Sequence, residues 1–95
     1  MAEAQKEYPY SLTLLYNLAC DIVEMYKAKI TKNTTEYFNF ITEMYGQKTN
    51  YFFHISKHTG GCTLSIETEG KDADQQISFM FSIVDNMLAQ ISGSA

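Results

Sequence analysis

The stretch that decides the fold runs from residue 34 to residue 68, TTEYFNFITEMYGQKTNYFFHISKHTGGCTLSIET. Its second half, Asn50 to Thr68, alternates apolar and polar side chains with a period of two, the spacing of a strand with one covered face. Thr59-Gly60-Gly61 interrupts the alternation with residues tolerant of positive φ, so the segment reads as a hairpin. With Gly60 and Gly61 at the turn centre, Ile55 is expected opposite Ile66, Lys57 opposite Leu64 and Phe53 opposite Thr68. Tyr51, Phe53, Ile55, Cys62, Leu64 and Ile66 then share one face, and Phe52, His54, Ser56, Ser65 and Glu67 the other.

The first half, Thr34 to Tyr45, carries Tyr37, Phe38, Phe40, Ile41, Met44 and Tyr45 on an arc of about 160° when wound as a helix. Asn33 and Glu36 have capping-box spacing and Gly46 is a natural stop, so a helix of three turns is expected here. The residues from about Lys48 to Tyr51 admit a shorter third strand beside the hairpin.

Outward from this stretch, Ser11 can cap a helix running to about Ile30, and Leu12, Leu14, Leu15, Leu18, Ala19, Ile22, Val23, Met25 and Tyr26 form its apolar arc. Past the polar link Glu69 to Lys71, Asp72 or Asp74 can cap another helix, running to about Ile91 and ending at Gly93. Its core face is Ile77, Met80, Phe81, Val84, Met87, Leu88 and Ile91, widened on one flank by Phe79 and Ile83. Residues 1–9, ending at Pro9, read as a loose N-terminal tail, and residues 93–95 as a C-terminal one. The expectation is one α+β domain of two layers, in the order helix, helix, hairpin, helix (ααββα). Both hairpin strands would then be edges unless a strand of this chain or of a second copy pairs with them.

Charge and motifs exclude much. The 95 residues hold eleven acids against seven bases, a net charge of −4, and every base is a lysine. Lacking the planar fork of arginine, an acidic chain is a poor partner for nucleic acid. No apolar run approaches the roughly 18 residues of a membrane span. Met1 to Glu7 has neither the cationic start nor the apolar stretch of a secretory signal, so a cytoplasmic protein is expected. Cys20 and Cys62 have no metal-type spacing and read as reduced packing residues. His54 and His58 are four apart, which on a strand means about 13 Å, too far for one ion, and no metal is expected. His54 facing Glu67 across the hairpin is the one pair suited to contacting a ligand. No nucleophile elbow or phosphate loop occurs, so neither an enzyme nor a cofactor is expected.

What remains is aromatic and apolar surface. Seven tyrosines and six phenylalanines, on helices whose apolar arcs exceed a single core-facing stripe, leave more than one small core absorbs. Phe38, Tyr45, Phe52, Phe79 and Ile83 are the residues expected at a protein-binding or oligomer interface. The leading expectation is a non-enzymatic acidic interaction module of adaptor, chaperone or inhibitor type, acting as a homo-oligomer, with a dimer favoured. The alternative is an oligomer that binds a small, nucleotide-like molecule at its subunit junction, with His54 and Glu67 in contact. Small acidic α+β proteins recur among secretion chaperones, immunity proteins and phage-encoded inhibitors of host defence, a likeness of type carried by no motif.

Overall fold

The computed structural model describes residues 2–34, 36–44 and 46–93. Along the chain these form β1 (Ala2–Tyr8), α1 (Leu12–Met25), β2 (Lys29–Asn33), β3 (Tyr37–Met44), β4 (Gln47–His58), β5 (Gly61–Thr68) and α2 (Ala73–Gly93). All five strands join one antiparallel sheet in the order β1-β5-β4-β3-β2. The expected ααββα layout is therefore wrong: the fold is βαββββα, with two helices rather than three.

The hairpin β4–β5 forms as its alternation predicts, but its register differs. The turn centre is Thr59-Gly60, and Gly61 pairs with His58 as the first residue of β5. Ile55 thus faces Leu64, Phe53 faces Ile66, and Lys57 faces Cys62. The slip is two residues, an even number, so every side chain keeps the face assigned to it. Tyr51, Phe53, Ile55, Cys62, Leu64 and Ile66 are all buried.

The expected helix from Thr34 to Tyr45 is strand β3 for most of its length. Phe38, Phe40 and Thr42 turn inward and are buried, while Tyr37, Asn39 and Ile41 turn outward. Aromatic and β-branched residues fit a pleated surface, and an apolar residue on both faces mimics a helical arc when read at 100° per residue. Nor is the N-terminus loose: β1 pairs with β5 from Ala2↔Thr68 to Tyr8↔Cys62. Its inward positions are Ala2, Ala4, Lys6 and Tyr8, too weakly apolar at first for alternation to register. Strand β2 occupies what was read as the end of the first helix and its link, and all five of its residues are exposed.

Helix α1 starts where Ser11 accepts a hydrogen bond from the Leu14 N–H at 3.2 Å. It stops at Met25 because the chain forms a Schellman cap: Lys27 N–H donates to Glu24 O and Ala28 N–H to Val23 O. Lys27 takes the left-handed position (φ 52°) usually given to glycine, which is why the apolar pattern alone overran the helix end.

Both helices lie on one face of the sheet, α1 against β3 and β4, α2 against β1 and β5. Leu15, Leu18, Ile22, Ile77, Met80, Val84 and Leu88 meet the inward strand residues in a single core. Three tyrosines pin helices to strands. Tyr16 donates to Asn33 Oδ1 at 2.6 Å, Tyr51 donates to Gln76 Oε1 at 3.0 Å, and Tyr8 donates to Asp85 Oδ1 at 2.8 Å. The other Asp85 oxygen accepts from Lys6 Nζ, so one carboxylate ties β1 to α2 twice.

Burial, with the Asp85 carboxylate alongside, holds the Tyr8 hydroxyl far above the ordinary tyrosine range. Burial, and secondarily the neighbouring Tyr26, pushes Tyr51 up to about 12. Unfolded tyrosines ionise near pH 10 while these two keep their protons, so above that pH the unfolded chain binds fewer protons and stability falls. The contribution is complete below about pH 10 and is lost above it, at up to about 1.4 kcal/mol per pH unit for each tyrosine. Denaturant unfolding between about pH 9 and pH 12 should show this decline, and Tyr8→Phe and Tyr51→Phe should each flatten it. An equally steep decline in both variants would contradict the assignment.

Candidate interaction surfaces

Two surfaces stand out, one on each side of the molecule. The first is a groove of about 360 Å³ between the helices. Leu14, Leu18 and Met25 of α1 and Met87 and Ile91 of α2 supply its apolar lining, and Asn17, Asp21 and Gln90 its polar one. The α1 contributors recur at spacings of three and four, so they line one flank of that helix. Met25 and Ile91 are 55% and 50% exposed, among the most exposed large apolar side chains described.

Charge is segregated between the helices and the rest of the chain. Helices α1 and α2 contain Asp21, Glu24, Asp74 and Asp85 and no lysine. The seven remaining acids are matched by the seven lysines of the strands and connections, so the helices account for the whole net charge of −4. The groove thus lies between the two elements that carry the net charge, with Asp21 the acid in its lining and Asp85 already paired with Lys6.

The second surface is the outer face of the sheet, the one opposite α1 and α2. Strand registers order it into rows. One row reads Glu3, Glu67, Phe52, Asn39, Lys32 from β1 to β2, and the next reads Gln5, Ser65, His54, Tyr37. The Tyr37 and His54 rings stack at 4.4 Å with their planes 6° apart, and Lys32 Nζ lies 5.0 Å from the centre of the Tyr37 ring. Tyr37 is therefore held between an imidazole and an ammonium group. A shallow hollow of about 340 Å³ covers the middle of this face.

The residues expected to carry function divide between these places. His54 and Glu67 both border the outer hollow, but they are not directly opposed: His54 faces Ser65, and Glu67 faces Phe52. Phe52 is half-buried on the same face. Phe38 is fully buried in the core and offers no surface, because the strand that replaced the expected helix turns it inward. Phe79 and Ile83 are half-buried on α2 and pack against the core. Tyr45 lies outside the described residues. Met25 and Ile91, the most open apolar positions of the groove, read from sequence only as core positions; the absence of lysine from both helices becomes visible only when the first helix is known to end at Met25, ahead of Lys27 and Lys29.

Among the described residues, no group of His, Cys, Asp and Glu is placed to hold a metal, and no helix is long and apolar enough to cross a membrane. No family model matches the chain, and no curated protein or solved structure is significantly similar to it.

Proposed function

We propose that the protein is a non-enzymatic interaction module whose helical groove captures a basic amphipathic helix of a partner protein. The carrying observation is that Met25 and Ile91 open half-exposed into one groove between the two acidic helices. Apolar anchors at helical spacing with a charged rim are the elements of helix-in-groove recognition. From Leu14 to Met25 the groove wall spans about 16 Å, enough for three turns of a bound helix. Asp21 in its lining and the net negative charge of the two helices favour lysine and arginine on the bound helix and speed the encounter at low salt. Free Cys20 and Cys62 suit a reducing compartment such as the cytoplasm.

The test is titration of a labelled amphipathic peptide carrying leucine on one face and lysine on the other, beside an otherwise identical peptide with glutamate for lysine. The basic peptide should bind and weaken with salt, and the acidic one should not bind. The double variant Met25→Ser, Ile91→Ser should lose about tenfold or more in affinity. Its folding stability should stay within about 0.5 kcal/mol per site, since both side chains are half in water already. Equal binding of both peptides, or undiminished affinity in the variant, would refute this reading.

A further inference from the structure

The outer face of the sheet has a polarity that the groove plays no part in. Its β1 edge carries Glu3 and Glu7, its β2 edge carries Lys29 and Lys32, and the central strand β4 places Phe52 and His54 between them. Glu3 and Glu67 stand directly opposite each other on neighbouring strands, an arrangement of like charges that destabilises an isolated sheet. At the far end of their row Lys32 is fixed against the Tyr37 ring.

We infer that this face packs on the same face of a second copy of the chain, about a twofold axis that lies in the interface, parallel to the strands and over β4. That operation reverses each row onto itself. Lys32 meets Glu3 of the other copy, Asn39 meets its Glu67, and Phe52 meets its Phe52 near the axis, and the same contacts recur by symmetry. The carboxylate pair that is unfavourable in one chain gains an ammonium and an amide from the other. An axis running across the strands would set each edge on itself, acid on acid and lysine on lysine, so the charges select one of the two aligned packings. Five strands at about 4.8 Å, averaging about eight residues at about 3.3 Å per residue, give a face of about 24 by 26 Å, a footprint of roughly 620 Å² that falls below the roughly 800 Å² per partner of a standard interface. The dimer is accordingly concentration-dependent rather than permanent.

Sedimentation velocity on the full chain from about 10 µM to about 1 mM should show a monomer–dimer equilibrium that shifts toward monomer as salt rises. Lys32→Glu alone and Glu3→Lys alone should each remain monomeric at the top of this range, with circular dichroism unchanged. An equimolar mixture of the two should form dimers, as should a single chain carrying both changes, because each restores the lysine–glutamate contact. A wild-type chain that stays monomeric throughout would overturn the inference. So would a dimer indifferent to Lys32→Glu, or one abolished by the groove changes Met25→Ser and Ile91→Ser. Since peptide capture is read separately, loss of the dimer and loss of groove binding are distinguishable.

Discussion

Gly61→Ala is expected to destabilise the fold by about 3 kcal/mol or more, out of proportion to one added methyl group. A Cβ built at this position would lie 2.0 Å from the carbonyl oxygen of Tyr8 and 3.0 Å from Cα of Pro9. Both obstacles are backbone, so no rotamer change relieves the contact. Either β1 withdraws from β5 at the Tyr8↔Cys62 pair, or the turn after His58 is remade. Gly60→Ala is the matched control. Gly60 has a left-handed φ of 90° but nothing within 4 Å of an added Cβ, so it should cost only the conformational penalty of about 1–2 kcal/mol. Gly61 shares the positive φ, at 156°, so the backbone penalty falls on both variants and the difference between their urea midpoints reports the steric contact; equal midpoints would show that the approach of β1 is not tight.

Phe38→Ala should cost about 3–5 kcal/mol, a large part of the 5–15 kcal/mol typical of a small domain. The side chain is fully buried, edge-on to Tyr16 at 5.6 Å and to Phe40 at 6.1 Å between ring centres. Truncation opens a cavity just where α1 rests on β3. Had Phe38 been an interface residue on a helix, as its sequence neighbourhood suggested, the same change would leave stability within about 0.5 kcal/mol and alter only assembly. Denaturant unfolding, with molecular mass measured alongside, reports the two outcomes independently, and a shift in mass at constant stability would contradict the strand assignment.

How far the fold was legible follows from what each pattern can report. Ser11 as a cap and the stripe Ile77, Met80, Val84, Leu88 placed both helices, because capping and a 3.6-residue period are local. The alternation in β4 and β5 placed the hairpin faces but not their register, since Thr59-Gly60 and Gly60-Gly61 are both acceptable turn centres. Three strands escaped. Tyr37–Met44 is apolar on both faces, Lys29–Asn33 is a short exposed edge, and Ala2–Tyr8 begins with alanines. Each is a strand only because a distant strand or edge accepts it, which no window of the sequence contains. The candidate sites share that limit. His54 and Glu67 were placed on the right face, but the row from Glu3 to Lys32 exists only once β1 and β2 are known to flank the sheet.

The position of β1 also bears on the order in which the molecule assembles. Strands β2 to β5 form a meander in which each hairpin joins chain neighbours, whereas Ala2 must find Thr68, across all four other strands and the first helix. Closing so long a loop costs more entropy than closing any of the hairpins, and contacts between distant residues slow folding. Of the five strands, β1 is therefore the last one seated. Until it arrives, the eight residues of β5 present unpaired amides and carbonyls beside Cys62, Leu64 and Ile66, so the chain is most prone to aggregation just before its final strand closes the sheet.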